Sequence, residues 1–436
     1  MRFSFFKKHP LATLLILGFL LRAMLLFLDY SWDVNSHISW GKEAVTFGFP
    51  GFYERLTQER FSIDYPNYPP VPIYLFAVGY VKYQLLNKLA WSFNIAIPLF
   101  PSNLIFFIKS RAFLASLLKL PSVFADLGIA WMIYLFIKRL LPKKKNFPLV
   151  AASLILFNPA FFVNSSLWGQ VEAIPIFFAA AAFYVVLFTK KYLWASVLFA
   201  LSLLSKQTAV VFLPVFLIVV LKKYGWREVV ESVSISFFVF FILFLPFYLR
   251  GNVVTFSFTT YFEKVLLVSG LPFVSNHAFN FWALITQWQN IPDMALFLGF
   301  PFRNLGYLAT LAFILPVLYL LYRNPAAENV LFSLALVVFA SFLFLTKIHE
   351  RHFQQVLPFL IFFSLKDKKV FFVFLFLSLA HLANLYHNWS VPRIEPLVNF
   401  ILSPITRNAF IAGILISFYF LFTKYIRDSR VPNGRL

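Results

Sequence analysis

Cysteine is absent from all 436 residues, which excludes disulfide frameworks, thiolate metal sites and cysteine nucleophiles together. Charge is scarce as well: 13% of residues are charged, against about 25% in an ordinary soluble domain. The chain has no glycine-rich phosphate cradle and no clear serine–histidine–aspartate order. His349, Glu350 and His352 lack the two-turn helical spacing of a zinc peptidase. Nucleotide hydrolysis, acyl transfer and zinc chemistry therefore have little support. No internal repeat or low-complexity tract stands out, which weakens the case for a repeat-built transporter.

What is present is apolar. Hydrophobic residues make up 61% of the chain and aromatics 21%, more than a water-soluble fold can hide. Runs such as Leu11 to Leu28 and Ser232 to Leu249 approach the ~20 residues that cross a bilayer core. Residues 1–436 thus read as one all-α, polytopic membrane domain. The basic start, with Arg2, Lys7 and Lys8, leads into an apolar run with no small-residue cleavage site after Leu28, so it reads as a retained first span.

The net charge of +21 comes from short Lys and Arg clusters between apolar runs, a pattern of topology with anionic lipid headgroups as partners, not nucleic acid. Clusters at Lys7-Lys8, Lys138 to Lys145, Lys190-Lys191, Lys222 to Arg227, Arg323, Lys366 to Lys369 and Lys424 to Arg435 are assigned to the cytoplasm. Each stretch between them then crosses an even number of times, with its tip outside. The spans are expected at Leu11 to Leu28, Ala112 to Leu141, Leu149 to Ser166, Ala173 to Thr189, Ser232 to Leu249, Leu305 to Tyr322, Asn329 to Thr346, Val370 to Tyr386 and Asn408 to Phe422. With two short hairpins the total is about twelve.

A first extracytoplasmic loop is expected over 29–110 and a second large one over 250–304. Within the first, Val71 to Lys109 is broken by Pro98 and Pro101 and carries Lys82 and Lys88, so it is expected to lie on the membrane surface as amphipathic helices. The two hairpins are Tyr192 to Leu221 and the arm Phe353 to Leu365. An arm of about 14 residues rises roughly 21 Å against a ~30 Å core, so Lys206 and the cluster Lys347 to His352 should sit sunk below the outer surface.

Asp33 follows the first span at once, in a loop whose Asp29, Asp33, Glu43, Glu54, Glu59 and Asp64 are six of the chain's 17 acids. Its carboxylate suits a general base, or merely a solvated loop acid. Asp64 to Pro72 contains Tyr68 and four prolines in seven residues, which stiffens the backbone whether or not it meets a ligand. Trp168-Gly169-Gln170-Val171-Glu172 forms a hairpin tip with two polar side chains at membrane depth. Lys347 to His352 suits an anionic phosphate, or a snorkelling charge belt.

Taken in order, these residues resemble the GT-C superfamily of glycosyltransferases, in particular the bacterial and archaeal polytopic mannosyltransferase-like proteins related to the second mannosyltransferase of GPI assembly. The marks are Asp33, Asp64 to Pro70, Lys119-Leu120-Pro121-Ser122 with Asp126, Asn158-Pro159, Trp168 to Glu172, Lys206, Asn276 to Trp282 and Lys347 to His352. Two departures are Glu172, where the family pattern expects Asp, and the inserted Asn67.

The resemblance implies a GT-C-like bundle and inverting transfer of one sugar, mannose or another hexose, from a polyprenyl-phosphate sugar. The acceptor would be a hydroxyl of a glycan, lipid or protein on the extracytoplasmic side, and neither a metal nor any other cofactor is expected. Asp33 would be the catalytic base, with Lys206, His349, Arg351 and His352 holding the donor phosphate. Asp64, Tyr68, Trp168, Gln170 and Glu172 would line the pocket. The implied home is the plasma membrane of a prokaryote, or the endoplasmic reticulum of a eukaryote. A transporter or lipid flippase for a polyprenyl-linked or anionic substrate is the rival reading, and it predicts charges along a path that reaches both faces. A non-catalytic scaffold leaves the sunken cations unexplained.

Overall fold

The computed structural model describes residues 8–29, 31–57, 62–97, 99–267 and 271–430. Arg2, Lys7, Tyr30, Glu59, Pro98 and the basic tail beyond Arg430 lie outside the described residues.

The chain is a succession of helices. The first half carries α1 (Pro10–Leu26), α2 (Trp32–Phe47), α3 (Pro70–Ala96), α4 (Ser102–Lys109), α5 (Arg111–Leu140), α6 (Phe147–Leu156), α7 (Pro159–Phe162), α8 (Ala173–Phe188), α9 (Tyr192–Leu203) and α10 (Leu213–Lys223). The second half carries α11 (Trp226–Phe244), α12 (Val253–Thr260), α13 (Phe281–Thr286), α14 (Phe302–Arg323), α15 (Ala327–Phe344), α16 (Leu357–Lys366), α17 (Lys368–Asn388), α18 (Glu395–Leu402) and α19 (Pro404–Arg430). Proline stands in the first turn of α1, α3, α6, α7, α10, α16 and α18, where its missing N–H costs no helical hydrogen bond.

Among the described residues six helices are long and apolar enough to cross a membrane: α5, α11 with its extension to Phe247, α14, α15, α17 and α19. A seventh candidate joins α6 to α7 and the π turn Val163–Trp168, bent by 42° at Asn158-Pro159. There the Asn158 side chain accepts from the Ala160 amide at 3.0 Å and starts the helix anew. Four shorter apolar helices, α1, α8, α9 and α16, complete a polytopic all-α bundle.

Contacts gather the basic clusters at one end. Lys223 Nζ donates to the carbonyls of Val186 and Leu187, and the Tyr224 hydroxyl to those of Val186 and Thr189, so the far end of α10 lies beside Lys190 and Lys191. Arg139 lies 6.0 Å from the Phe188 ring and Lys222 lies 4.3 Å from that of Tyr322. Lys366 pairs with Glu328 at 3.0 Å and Lys424 with Asp367 at 3.0 Å. Residues 192–223 and 327–366 are therefore hairpins that leave this end and return to it, with Lys206 and Arg351 at their tips. The 12 residues of α9 rise only about 18 Å and the 10 of α16 about 15 Å, each less than a ~30 Å bilayer core, while α15, the other arm of the second hairpin, is long enough to cross one.

Buried packing ties these parts together. Ala179 to Ala182 give α8 a small face against α9, while the Phe199 and Phe216 rings stack at 4.3 Å. Arg22 of α1 and Asp126 of α5 form a fully buried pair at 2.9 Å. Ser165 donates to the same carboxylate oxygen at 2.6 Å, and Arg22 to the Leu156 carbonyl at 2.8 Å. These hydrogen bonds offset part of the desolvation cost of a buried ion pair, while Arg22 Nη2 and Asp126 Oδ1 lack partners.

The helix α3 is one rod of 27 residues. Apart from Ala90, its buried residues end at Gly79, and beyond that Val81, Leu85, Leu89, Trp91, Phe93 and Ile95 are exposed. Such a surface needs lipid, not water, as its neighbour. The helix α4 folds back on it, with the Tyr83 hydroxyl donating to the Lys109 carbonyl at 2.8 Å.

Candidate active site

Asp33 lies in the first turn of α2, where the helix dipole favours a carboxylate. Trp168 Nε1 donates to its Oδ2 at 3.1 Å, and the Trp168 ring stacks on Trp389 at 5.3 Å. Behind them, buried Lys119 donates to the carbonyls of Leu26 (3.3 Å), Leu28 (2.6 Å) and Leu167 (3.2 Å), fastening the end of α1 to the hairpin tip. Gly169 makes that tip possible. Its φ is +85°, and a Cβ there would stand 2.7 Å from Val34 Cγ2 and 3.0 Å from Lys119 Cε.

The opposing wall sets two cations among two carboxylates. Lys206 is ion-paired with Glu172, and Arg351 Nε lies 3.3 Å from the same Glu172 oxygen. Arg351 Nη1 reaches Glu350 at 3.3 Å. Glu172 and Glu350 are fully buried and Lys206 nearly so, while Arg351 keeps 13% of its side chain exposed. Lys206 also lies 5.4 Å from the Tyr68 ring, and the Tyr53 hydroxyl donates to the Tyr68 carbonyl at 2.9 Å. The proline-rich stretch is thus seated on the hairpin tip, where the Val71 amide donates to the Leu204 carbonyl at 3.1 Å. Gln355 Nε2 donates to Thr208 Oγ1 at 2.8 Å and links the two tips directly.

The two walls act on each other. Burial opposes ionisation of Asp33, but Arg351, the Trp168 N–H and Lys206 outweigh it and hold the carboxyl below its ordinary value; Arg351 is the strongest of these. Burial also pushes the His37 imidazole down to about 3, against the pull of Asp33, so it is a neutral ring stacked 4.3 Å from Phe76. His349 and His352 are likewise driven well below the usual histidine value by burial and by Arg351. The His349 amide donates to His352 Nδ1 at 3.3 Å, which marks His352 as a neutral ring with its proton on Nε2. Both histidines therefore meet a ligand as neutral imidazoles, not as cations.

Of the sequence candidates, Asp33, Tyr68, Trp168, Glu172, Lys206, His349, Arg351 and His352 all belong to this neighbourhood. Gln170 is fully buried, and neither Nε2 nor Oε1 has a hydrogen-bond partner. The Asp64 side chain is exposed, and the residue's visible contact is through its backbone carbonyl, which accepts from Thr57 N at 2.7 Å. Asn276 to Trp282 form scaffold: Ser275–Asn276 pairs in parallel with Ile348–His349, and Trp282 Nε1 donates to the Phe344 carbonyl at 2.6 Å. No group of three or more His, Asp or Glu residues with metal-holding geometry occurs among the described residues. Sequence reasoning did not assign roles to Trp389, Lys119 or His37. The polar run His387-Asn388-Trp389 at a span end was the one signal for the first of these.

The family model of glycosyltransferase family 87 matches residues 104–346, more than half of the chain. The chain belongs to that family. It is accordingly a multi-pass membrane glycosyltransferase, and the transporter reading yields to it. No curated protein matches the chain. This family 87 chain carries Lys119, Trp168, Glu172 and Lys206 inside the matched stretch, whereas Asp33 and Arg351 lie outside it. Contacts with Trp168 and Glu172 join those two to the family core.

Proposed function

We propose that this family 87 enzyme moves one hexose, mannose being the family-weighted choice, from a polyprenyl-phosphate sugar to an acceptor hydroxyl with inversion at the anomeric carbon. The observation that carries the reading is the facing of one carboxylate, Asp33, by Arg351 and Lys206 at the end of the bundle opposite the basic clusters. Asp33 accepts the proton of the acceptor hydroxyl as its oxygen bonds to C1. The C1–O bond to phosphate breaks, and its electron pair leaves on the polyprenyl phosphate. Arg351 and Lys206 hold that growing charge, with neutral His349 and His352 as further hydrogen-bond donors. Tyr68, Trp168, Gln170 and Glu172 border the sugar, and Asp64 lies at the pocket's outer margin.

The reaction needs no metal in this reading, since two fixed cations already meet the leaving phosphate. The prenyl tail lies in lipid beside the shortened hairpins. The positive-inside rule supports an extracytoplasmic site, and the family resemblance alone favours the plasma membrane of a prokaryote over the endoplasmic reticulum of a eukaryote. The rule also counts about twelve crossings, with the shorter helices and hairpin arms added to the long spans.

The test is transfer in liposomes from radiolabelled polyprenyl-phosphate mannose and glucose. Asp33→Asn and Arg351→Ala are each expected to lower transfer by about 10²–10³ or more while the protein stays folded. Undiminished transfer in Asp33→Asn removes the assigned base.

A further inference from the structure

Next to Arg351, the segments on either side of α13, the end of α17 and the start of α19 build a second cluster that no step above uses. Of the five described non-glycine residues in the left-handed backbone region, His277 (φ 60°), Gln287 (48°) and Trp288 (67°) sit around it, and Lys347 (61°) opens the strand beside it. Each such residue is strained and persists only where the surroundings enforce it, which is common at ligand sites. Here the strain sets a group of rings. Trp288 lies 4.9 Å from His387 and 5.5 Å edge-on from Phe279, with the Arg407 guanidinium 4.5 Å from the Trp288 ring centre. Asn384 fastens the loop by donating to the His277 carbonyl at 2.6 Å and accepting from the Phe279 amide at 2.8 Å.

Within this cluster Trp288 Nε1, His387 Nδ1 and Arg407 Nε are all shielded, and none has a hydrogen-bond partner. An unmet buried polar atom is costly, so three in one aromatic nook ask for a ligand that meets them together. Aromatic rings beside a few convergent N–H groups are the complement of a pyranose, whose C–H face packs on rings while its hydroxyls both donate and accept. The nook adjoins the active site on two sides. His277 bridges to His349, two residues from Arg351, and His387 lies two residues before Trp389, which stacks on the Trp168 that holds Asp33.

Building on the active-site reading above, we propose that Trp288, His387 and Arg407 form the acceptor subsite and bind a hexopyranose unit of the acceptor. The ring packs on the aromatic wall, and its hydroxyls meet the three unpaired nitrogens.

The probes are octyl α-D-mannopyranoside and octyl β-D-glucopyranoside, added to the full chain in nanodiscs and followed by saturation-transfer NMR, which needs no turnover. At least one glycoside is expected to bind wild type, and to bind Trp288→Ala and Arg407→Ala about tenfold more weakly. Trp288→Phe keeps the wall, loses only the N–H and is expected to fall between, which guards against a misfolded alanine variant. Where wild type also transfers to the glycoside, its KM rises by a similar factor while the donor KM stays within about twofold. Equal binding by wild type and both alanine variants, or no binding of either sugar by wild type, overturns the subsite. Donor use is read separately: a wild-type protein that turns over no polyprenyl-phosphate sugar sinks the active-site reading even when the sugar binds at the nook.

Discussion

Asp33 is an acid whose surroundings keep it ionised, and that has a kinetic signature. A base must be unprotonated to work, so activity survives as pH falls until the carboxyl's own depressed pKa is reached, below the ordinary Asp value of about 3.9. Removing the Arg351 charge takes away the strongest interaction that favours ionisation, so the acid limb of the pH–rate profile should move to higher pH in Arg351→Ala. Single-turnover rates from pH 3 upward check this, and an unshifted limb assigns the titration to another group. Glu172 has the converse role, since it neutralises Lys206 before any phosphate arrives. Glu172→Ala leaves a buried ammonium unpaired and is expected to cost about 3 kcal/mol or more of stability, most of it recovered in Glu172→Ala/Lys206→Met. Unfolding of both variants in nanodiscs decides the matter.

At the level of elements, the Trp168–Gly169 turn is where backbone and chemistry meet. Gly169→Ala forces a left-handed alanine and a clash with Val34, so a loss of about 1–3 kcal/mol is expected, together with a tenfold or greater fall in transfer as Trp168 leaves Asp33. Near-normal transfer by Gly169→Ala would show that the Trp168 contact is dispensable. Much of the element plan was legible beforehand. Apolar runs marked most of the spans, the prolines marked helix starts, and the brevity of two segments between Lys pairs implied sunken tips at Lys206 and Arg351. Asn158-Pro159 also signalled a loosened helix where the bend falls, but the π turn after it and the two-residue pairing of Ser275–Asn276 with Ile348–His349 were not legible. Each depends on partners far away in sequence, which local periodicity does not encode. The same reason hid Trp389, separated by 221 residues from the Trp168 ring on which it stacks, and Lys119, whose three carbonyl partners come from two other segments.

For the whole molecule, the basic clusters at one end and the acid-bearing site at the other imply a fixed orientation in the bilayer. The natural absence of cysteine makes this directly measurable. Single replacements at exposed Lys143 and Lys190 should resist a membrane-impermeant maleimide in intact cells. Those at exposed Asp64 and Glu263 should react, and the reverse pattern would invert the topology.

The two hairpins also have a mechanical character. Each is footed at the basic end, by Lys223 on the Val186 and Leu187 carbonyls and by Lys366 on Glu328, and they are lashed together at the tips by Gln355 and Thr208. They form a pair of coupled cantilevers. A load on Arg351 is therefore carried to Lys206 by two routes, the amide–hydroxyl link between the tips and the Glu172 carboxylate that both cations share.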